Sequence, residues 1–197
     1  MKYPTEHKAN VRQRLREEAA RQIRKNGIDN VSIKSVMAAE KMTVGGFYAH
    51  FDNRESLIGE AINESFEQIR DIFLTSLERA DTRTWTQEFV DMYLSEGHRD
   101  NMGKACPIAG LLSQIPGQSD VVREEFKLQT EELLDAYAEK LRGLNKKTKS
   151  SASAKAKTWS LLALLAGGLQ LSRAMNDEEH VKEVLLSCRK AAMEMLD

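Results

Sequence analysis

The chain reads as an all-α protein of about nine helices, and three observations predict it. Apolar residues recur at spacings of three and four along most of the sequence, as one buried face of a helix requires. No run alternates apolar and polar residues as a half-buried strand would. Ser, Thr, Asp or Asn stands ahead of most periodic runs, with Gly or Pro behind them. At 197 residues and 41% hydrophobic content the chain can bury a core without staples.

Val11, Leu15, Ala19 and Ile23 mark a first helix that Gly27 ends, with Arg12, Arg14, Arg16, Arg21 and Arg24 on its exposed faces. Ser32 is a good N-cap for a short second helix carrying Ile33, Val36 and Met37, which breaks around Glu40 to Met42. Thr43 is expected to cap a third helix. Asp52 or Asn53 then caps a long fourth one through Ile58, Ile62, Phe66, Ile69 and Phe73. A capping box of Thr84 and Gln87 opens the next helix, with Trp85, Phe89, Met92 and Tyr93 on one face as far as Gly97. "CPIAGLLSQIPG" follows as a short helix, with Pro107 in its first turn and Pro116 and Gly117 stopping it. From Ser119 a longer helix carries Val122, Phe126, Leu133, Tyr137, Leu141 and Leu144, closed by the polar, flexible loop "NKKTKSSAS". The last two helices cover 152–175, apolar almost all round, and 178–196, with Val181, Val184, Leu185, Cys188 and Met195 on one stripe.

A helix apolar on every side needs cover on every side. The economical arrangement is a homodimer in which the last two helices of each chain form a four-helix interface, with Leu162, Leu165, Leu169, Val184, Leu185 and Cys188 buried between chains. Gly167 and Gly168 would admit a second helix at close range. The alternative is a central core helix of a monomer.

Cys106 and Cys188 have unlike neighbourhoods, so a disulfide is not expected and a reducing, cytoplasmic setting is. The charged N-terminus lacks the apolar core of a signal peptide, and the most apolar run, 161–171, falls short of the ~20 residues of a membrane span. No membrane, metal or cofactor is expected. Net charge is −1, yet residues 1–51 hold ten Lys and Arg against five Asp and Glu. A basic module on an acidic body is the pattern of a chain that meets nucleic acid at one end.

Residues 43–51 read "TVGGFYAHF" and spend two glycines where each costs a helix interior about 1 kcal/mol. Residues 32–51 have the layout of a helix-turn-helix, whose second helix enters a major groove. There the missing side chains of Gly45 and Gly46 permit close approach to phosphates and base edges. Tyr48 and His50 offer hydrogen bonds to phosphates, while Phe47 and Phe51 face the core.

The run "GIDNVSIKSVMAAEKMTVGGFYAHFDNRESLIGEAI", with "EEAARQIRKNG" before it, resembles the DNA-binding domain of the TetR family of transcriptional regulators. The resemblance implies an all-α homodimer with a three-helix N-terminal domain, residues 1–52, a connecting helix at 53–77, and a ligand-binding and dimerisation domain at 78–197. It implies operator DNA near Lys34, Thr43, Val44, Gly45, Gly46, Tyr48, His50 and Arg54, with Ser32 beside them at the start of the second helix. It further implies a small-molecule effector. Lys41 replaces the glycine usual in the turn, so that position must avoid or tolerate positive φ. Val44 stands where many members carry a polar residue, which points to an apolar contact such as a thymine methyl. The "CP" step at Cys106 and Pro107 resembles one subgroup of the family.

The function expected is therefore a DNA-binding regulator, usually a repressor, answering to a ligand or to a thiol. Candidate cavity residues are Trp85, Phe89, Met92, Tyr93, Met102, Phe126, Tyr137 and Trp159. Cys106 at a helix N-terminus, near His98 and Lys104, is expected to have a depressed pKa and to sense oxidants, or else to be a small core residue. Two other readings are a thiol enzyme using Cys106 with His98 or His180, which lacks an orienting group for its base, and a helical carrier without DNA binding. No catalytic residue is expected.

Overall fold

The computed structural model describes residues 5–77, 82–144 and 151–196, and among them helix is the only regular structure. Nine α-helices follow in order: α1 Thr5–Asn26, α2 Ile33–Ala39, α3 Arg54–Leu77, α4 Thr82–Tyr93, α5 Glu96–Asp100, α6 Pro107–Leu111, α7 Asp120–Leu144, α8 Ser151–Ala174 and α9 Glu178–Leu196. Three 3₁₀ segments, Val44–Ala49, Met102–Lys104 and Ile115–Gly117, join them.

The N-terminal unit packs α1, α2 and the 3₁₀ segment Val44–Ala49 against the first turns of α3. Leu15, Ile23, Ile28, Met37, Phe47, Leu57, Ile58 and Ile62 are all but fully buried there. Ser32 caps α2: its Oγ accepts the Ser35 N–H at 3.0 Å, while Ser35 Oγ accepts the Ser32 N–H at 3.1 Å. Asn53, rather than Asp52, caps α3, its Oδ1 taking the Ser56 N–H at 2.8 Å. Lys41 adopts φ of 57°, so the turn does tolerate a non-glycine residue in the left-handed region.

α3 continues out of this unit and packs on α7. α4, α7, α8 and α9 close around Phe89, Leu94, Leu133, Leu161, Leu165, Leu169 and Leu185. Thr84 is not a cap, because α4 begins two residues earlier. The segment after Tyr93 departs from the sequence reading. Ser95 starts the separate helix α5 by accepting the His98 N–H at 3.1 Å, so Gly97 lies inside a helix. The expected loop at 145–153 falls mostly outside the described residues, as do the side chains of Phe73, Leu141 and Leu144.

Leu165, Leu169 and Leu185 are 2% exposed or less within a single chain, so they belong to its own core and not to a surface between chains. Leu162, Val184 and Cys188 are half-buried. The two glycines of α8 face opposite ways. A Cβ at Gly168 would meet Cys188 Sγ at 2.7 Å, so this glycine lets α9 dock. Gly167 has open space where its side chain would be. Gly167 shares an exposed stripe with Ala156, Ser160, Ala163 and Leu171.

Candidate nucleic-acid interface and effector cavity

The segment Thr43–Phe51 is held from behind. Phe47 and Phe51 are buried and stacked at 5.5 Å between ring centroids, and the Arg12 guanidinium lies 4.5 Å over the Phe51 ring. The same guanidinium donates to the His50 carbonyl and pairs with Glu60 of α3. Two aromatic anchors and one arginine thereby fix the segment's angle on α1 and α3.

What remains faces outward. Thr43, Val44 at 45% exposure, Gly45 and Tyr48 at 65% exposure form a contiguous outer surface, with Ser32 and Lys34 exposed at the start of α2. A Cβ at Gly45 would meet nothing within 4 Å, whereas one at Gly46 would rest on Met37, Thr43 and Met42 at ordinary contact distances. The space at Gly45 is therefore on the outer side. His50 is half-buried, and burial first, then Lys8, Arg12 and His7, lower its pKa from 6.5. Its Nδ1 is buried without a hydrogen-bond partner.

Two expectations for this surface are corrected. Thr43 precedes the segment with extended backbone but makes no side-chain cap, because a 3₁₀ segment replaces the expected α-helix. Arg54 points into the protein: its Nε donates to the Val31 carbonyl at 2.8 Å and an Nη to the Ile28 carbonyl at 2.6 Å. These donors brace the α1–α2 turn.

The second feature is a cavity of about 340 Å³ lined by Ile69, Trp85, Glu88, Phe89, Met92, Tyr93, His98, Lys104, Cys106 and Tyr137. α4 supplies most of the rings, at i, i+4 and i+8, and Tyr137 comes from α7. Three of the expected lining residues lie elsewhere. Phe126 packs edge-on against Phe66 at 5.8 Å, Trp159 is 45% exposed on the outside of α8, and Met102 faces surface grooves.

Cys106 does stand just before α6, but its side chain makes no cap and is buried. Burial pushes its thiol up from 9.0, against smaller opposing contributions from Tyr93 and the Ala109 and Ile108 amides. Dehydration of the thiolate outweighs the helix terminus, so the expected depression is absent. Cys188 is also raised by burial. His98 is no base for the thiol, since both its nitrogens bond backbone groups. His180 lies on α9, paired with Asp177. Among the described residues no group of His, Cys, Asp and Glu could hold a metal, and no helix is long and apolar enough to cross a membrane.

Besides α3, residues 102–118 tie the cavity wall to the N-terminal unit, through contacts that sequence reasoning missed. Arg24 of α1 donates to the Gly103 carbonyl at 2.9 Å. Gln114 Oε1 accepts the Ile28 N–H at 2.7 Å, and Gln118 Nε2 donates to Asp29 at 2.8 Å. Lys104 and Cys106, in the cavity wall, lie between these attachments. The one local signal is Gly27, whose φ of +85° and 2.7 Å approach to Gln114 exclude a side chain.

Residues 15–61 match the family model described as bacterial regulatory proteins, tetR family. Over 116 residues the chain is 26% identical to the HTH-type transcriptional repressor DhaR of Mycobacterium sp. (strain GP1), covering 59% of this chain and 58% of that one. It therefore spans little more than half the length of that relative. Among solved structures, the reduced form of E. coli NemR superposes with a TM-score of 0.78 at 12% identity, covering 94% of this chain and 96% of that one. A TetR transcriptional regulator from Chloroflexus aurantiacus gives 0.75 at 21% identity, covering 96% of each. By residues 15–61 the chain matches the tetR family of bacterial regulatory proteins, and across its length it has the fold of solved TetR regulators.

Proposed function

We propose that the chain is a DNA-binding transcriptional repressor that acts as a homodimer and changes its operator affinity when a small molecule enters the α4–α7 cavity. The observation that carries this is the outer surface at Thr43, Val44, Gly45 and Tyr48. It is exposed, free of obstruction at Gly45, and rigidly backed by Phe47, Phe51 and Arg12. Val44 reads a base edge, Tyr48, Thr43 and Lys34 meet phosphates, and His50 adds a hydrogen bond. The exposed α8 stripe at Ala156, Ser160, Ala163, Gly167 and Leu171, with Trp159 exposed on the same helix, is the surface on which a second copy docks. Because the Cys106 thiol is buried and holds its proton, a non-covalent ligand is the signal.

Fluorescence anisotropy with labelled DNA from immediately upstream of the protein's own gene tests this. A steep fall in affinity between 50 and 200 mM salt is expected, on the order of tenfold or more. No salt-sensitive binding to any such fragment would end the repressor reading.

A further inference from the structure

We infer that the α4–α7 cavity selects an uncharged aromatic molecule of one to three rings. This rests on the effector reading above and adds the chemical class. The cavity, at about 340 Å³, lies near the lower end for small-molecule sites, roughly 300–1,000 Å³. Its wall is mostly aromatic. The Trp85 and Phe89 rings lie parallel within 10°, their centroids 5.5 Å apart, and Tyr137 meets Phe89 at 5.2 Å and 51°. These rings offer a flat guest both offset-stacked and tilted contacts.

The wall holds no buried charge to pair with a charged guest: the Trp85 indole N–H and the Tyr93 hydroxyl are neutral donors, suited to an uncharged polar substituent. His98 Nδ1 donates to the Tyr93 carbonyl at 2.7 Å and Nε2 accepts the Cys106 N–H at 3.0 Å, so neither nitrogen is left for a guest. The Cys106 thiol and the Tyr93 and Tyr137 phenols are buried and keep their protons. Lys104 and Glu88 are the charged side chains of the lining. Both are exposed and opposite in sign, so the rim prefers neither charge. Arg173 lies behind the α5 turn, with its guanidinium on the Arg99 and His98 carbonyls and outside the lining. Its field disfavours a cation without offering an anion a hydrogen bond. A charged guest would lose its water and gain no ion-pair partner inside the cavity.

The test uses the full chain and three naphthalenes, one uncharged, one anionic and one cationic. N-phenyl-1-naphthylamine, a neutral dye that brightens in apolar surroundings, reports occupancy. Naphthalene, 1-naphthoate and 1-naphthylmethylammonium compete for it at pH 7.5. Met92→Trp, at the half-exposed rim, blocks the entrance and spares the core. The expected result is dye binding that Met92→Trp abolishes and naphthalene displaces, with both ions at least tenfold weaker. Equal competition by either ion would overturn the class while leaving the cavity as a ligand site. Dye binding unaffected by Met92→Trp, or no binding of dye or naphthalene, would overturn the inference and the effector cavity with it.

Discussion

The Nε2 of His98 accepts the backbone N–H of Cys106 at 3.0 Å, while its Nδ1 stands 2.7 Å from the Tyr93 carbonyl. A carbonyl only accepts, so Nδ1 carries the proton and the ring is neutral. It ties the end of α4 to the start of α6 across the cavity.

Protonation of His98 breaks that tie, because an imidazolium has no acceptor for the Cys106 N–H. Burial first, and Arg173 also, set its pKa below 6.5, whereas the Tyr93 carbonyl acts the other way. The unfolded chain therefore takes up a proton at higher pH than the folded one. Stability contributed by His98 is full above about pH 6.5 and falls as pH drops from there toward the folded value. Urea denaturation at pH 7.5 and 5.5 should show a loss in the wild type that His98→Ala shows less of. The variant itself should cost about 1–3 kcal/mol at pH 7.5, from two backbone groups left without a partner. An equal pH dependence in both proteins would refute the assignment.

Gly45 and Arg54 separate contact from support. Gly45→Ala meets no atom in the free protein, so urea midpoints should stay within about 0.5 kcal/mol of wild type while operator affinity falls several-fold. Arg54→Lys reverses the pattern. One ammonium cannot hold the Ile28 and Val31 carbonyls as the fork does, and stability should drop by roughly 1–3 kcal/mol.

Two left-handed positions should respond oppositely. Lys41→Gly removes a strained φ and should stabilise by up to about 1 kcal/mol, after the greater freedom of the unfolded glycine is subtracted. Gly27→Ala adds strain at φ +85° and drives a methyl onto Gln114 Oε1. It should destabilise by about 2 kcal/mol or more, and Gln114→Ala should recover part of that loss in a double-mutant cycle. Additive losses would mean that the two residues do not press on each other.

Gly167 and Gly168 give the matching test for assembly. Gly168→Ala overpacks Cys188 and should cost about 1–3 kcal/mol of folding stability. Gly167→Asp should leave the helical circular dichroism unchanged and give monomers by light scattering. A dimer surviving Gly167→Asp would move the interface off this stripe.

Much of this architecture was legible from periodicity. Val11, Leu15, Ala19 and Ile23 are all buried as their spacing predicts, and Phe47 and Phe51 turn inward as two large rings beside glycines should. What periodicity could not resolve was which partner covers an apolar face. Leu165 and Leu169 look the same in sequence whether their cover comes from the same chain or from another, and their burial within a single chain decides it. The cavity was legible on α4, where Trp85, Phe89 and Tyr93 share one face. It was illegible for Phe126 and Trp159, whose helices rotate them elsewhere. Of the two readings of Cys106, the depressed thiol fails through electrostatics, because burial outweighs the helix terminus and is a three-dimensional quantity, while the small core residue fits its burial. The Arg54 bonds join residues 23 and 26 apart, beyond any local pattern.

The stretch 102–118 also sets how the molecule comes apart. Its attachments at Arg24, Ile28 and Asp29 accompany an apolar core that is continuous from Val11 on α1 to Ala192 on α9. Heating should therefore melt the chain in one calorimetric transition, with no window in which residues 82–196 stay ordered while the first helices unravel.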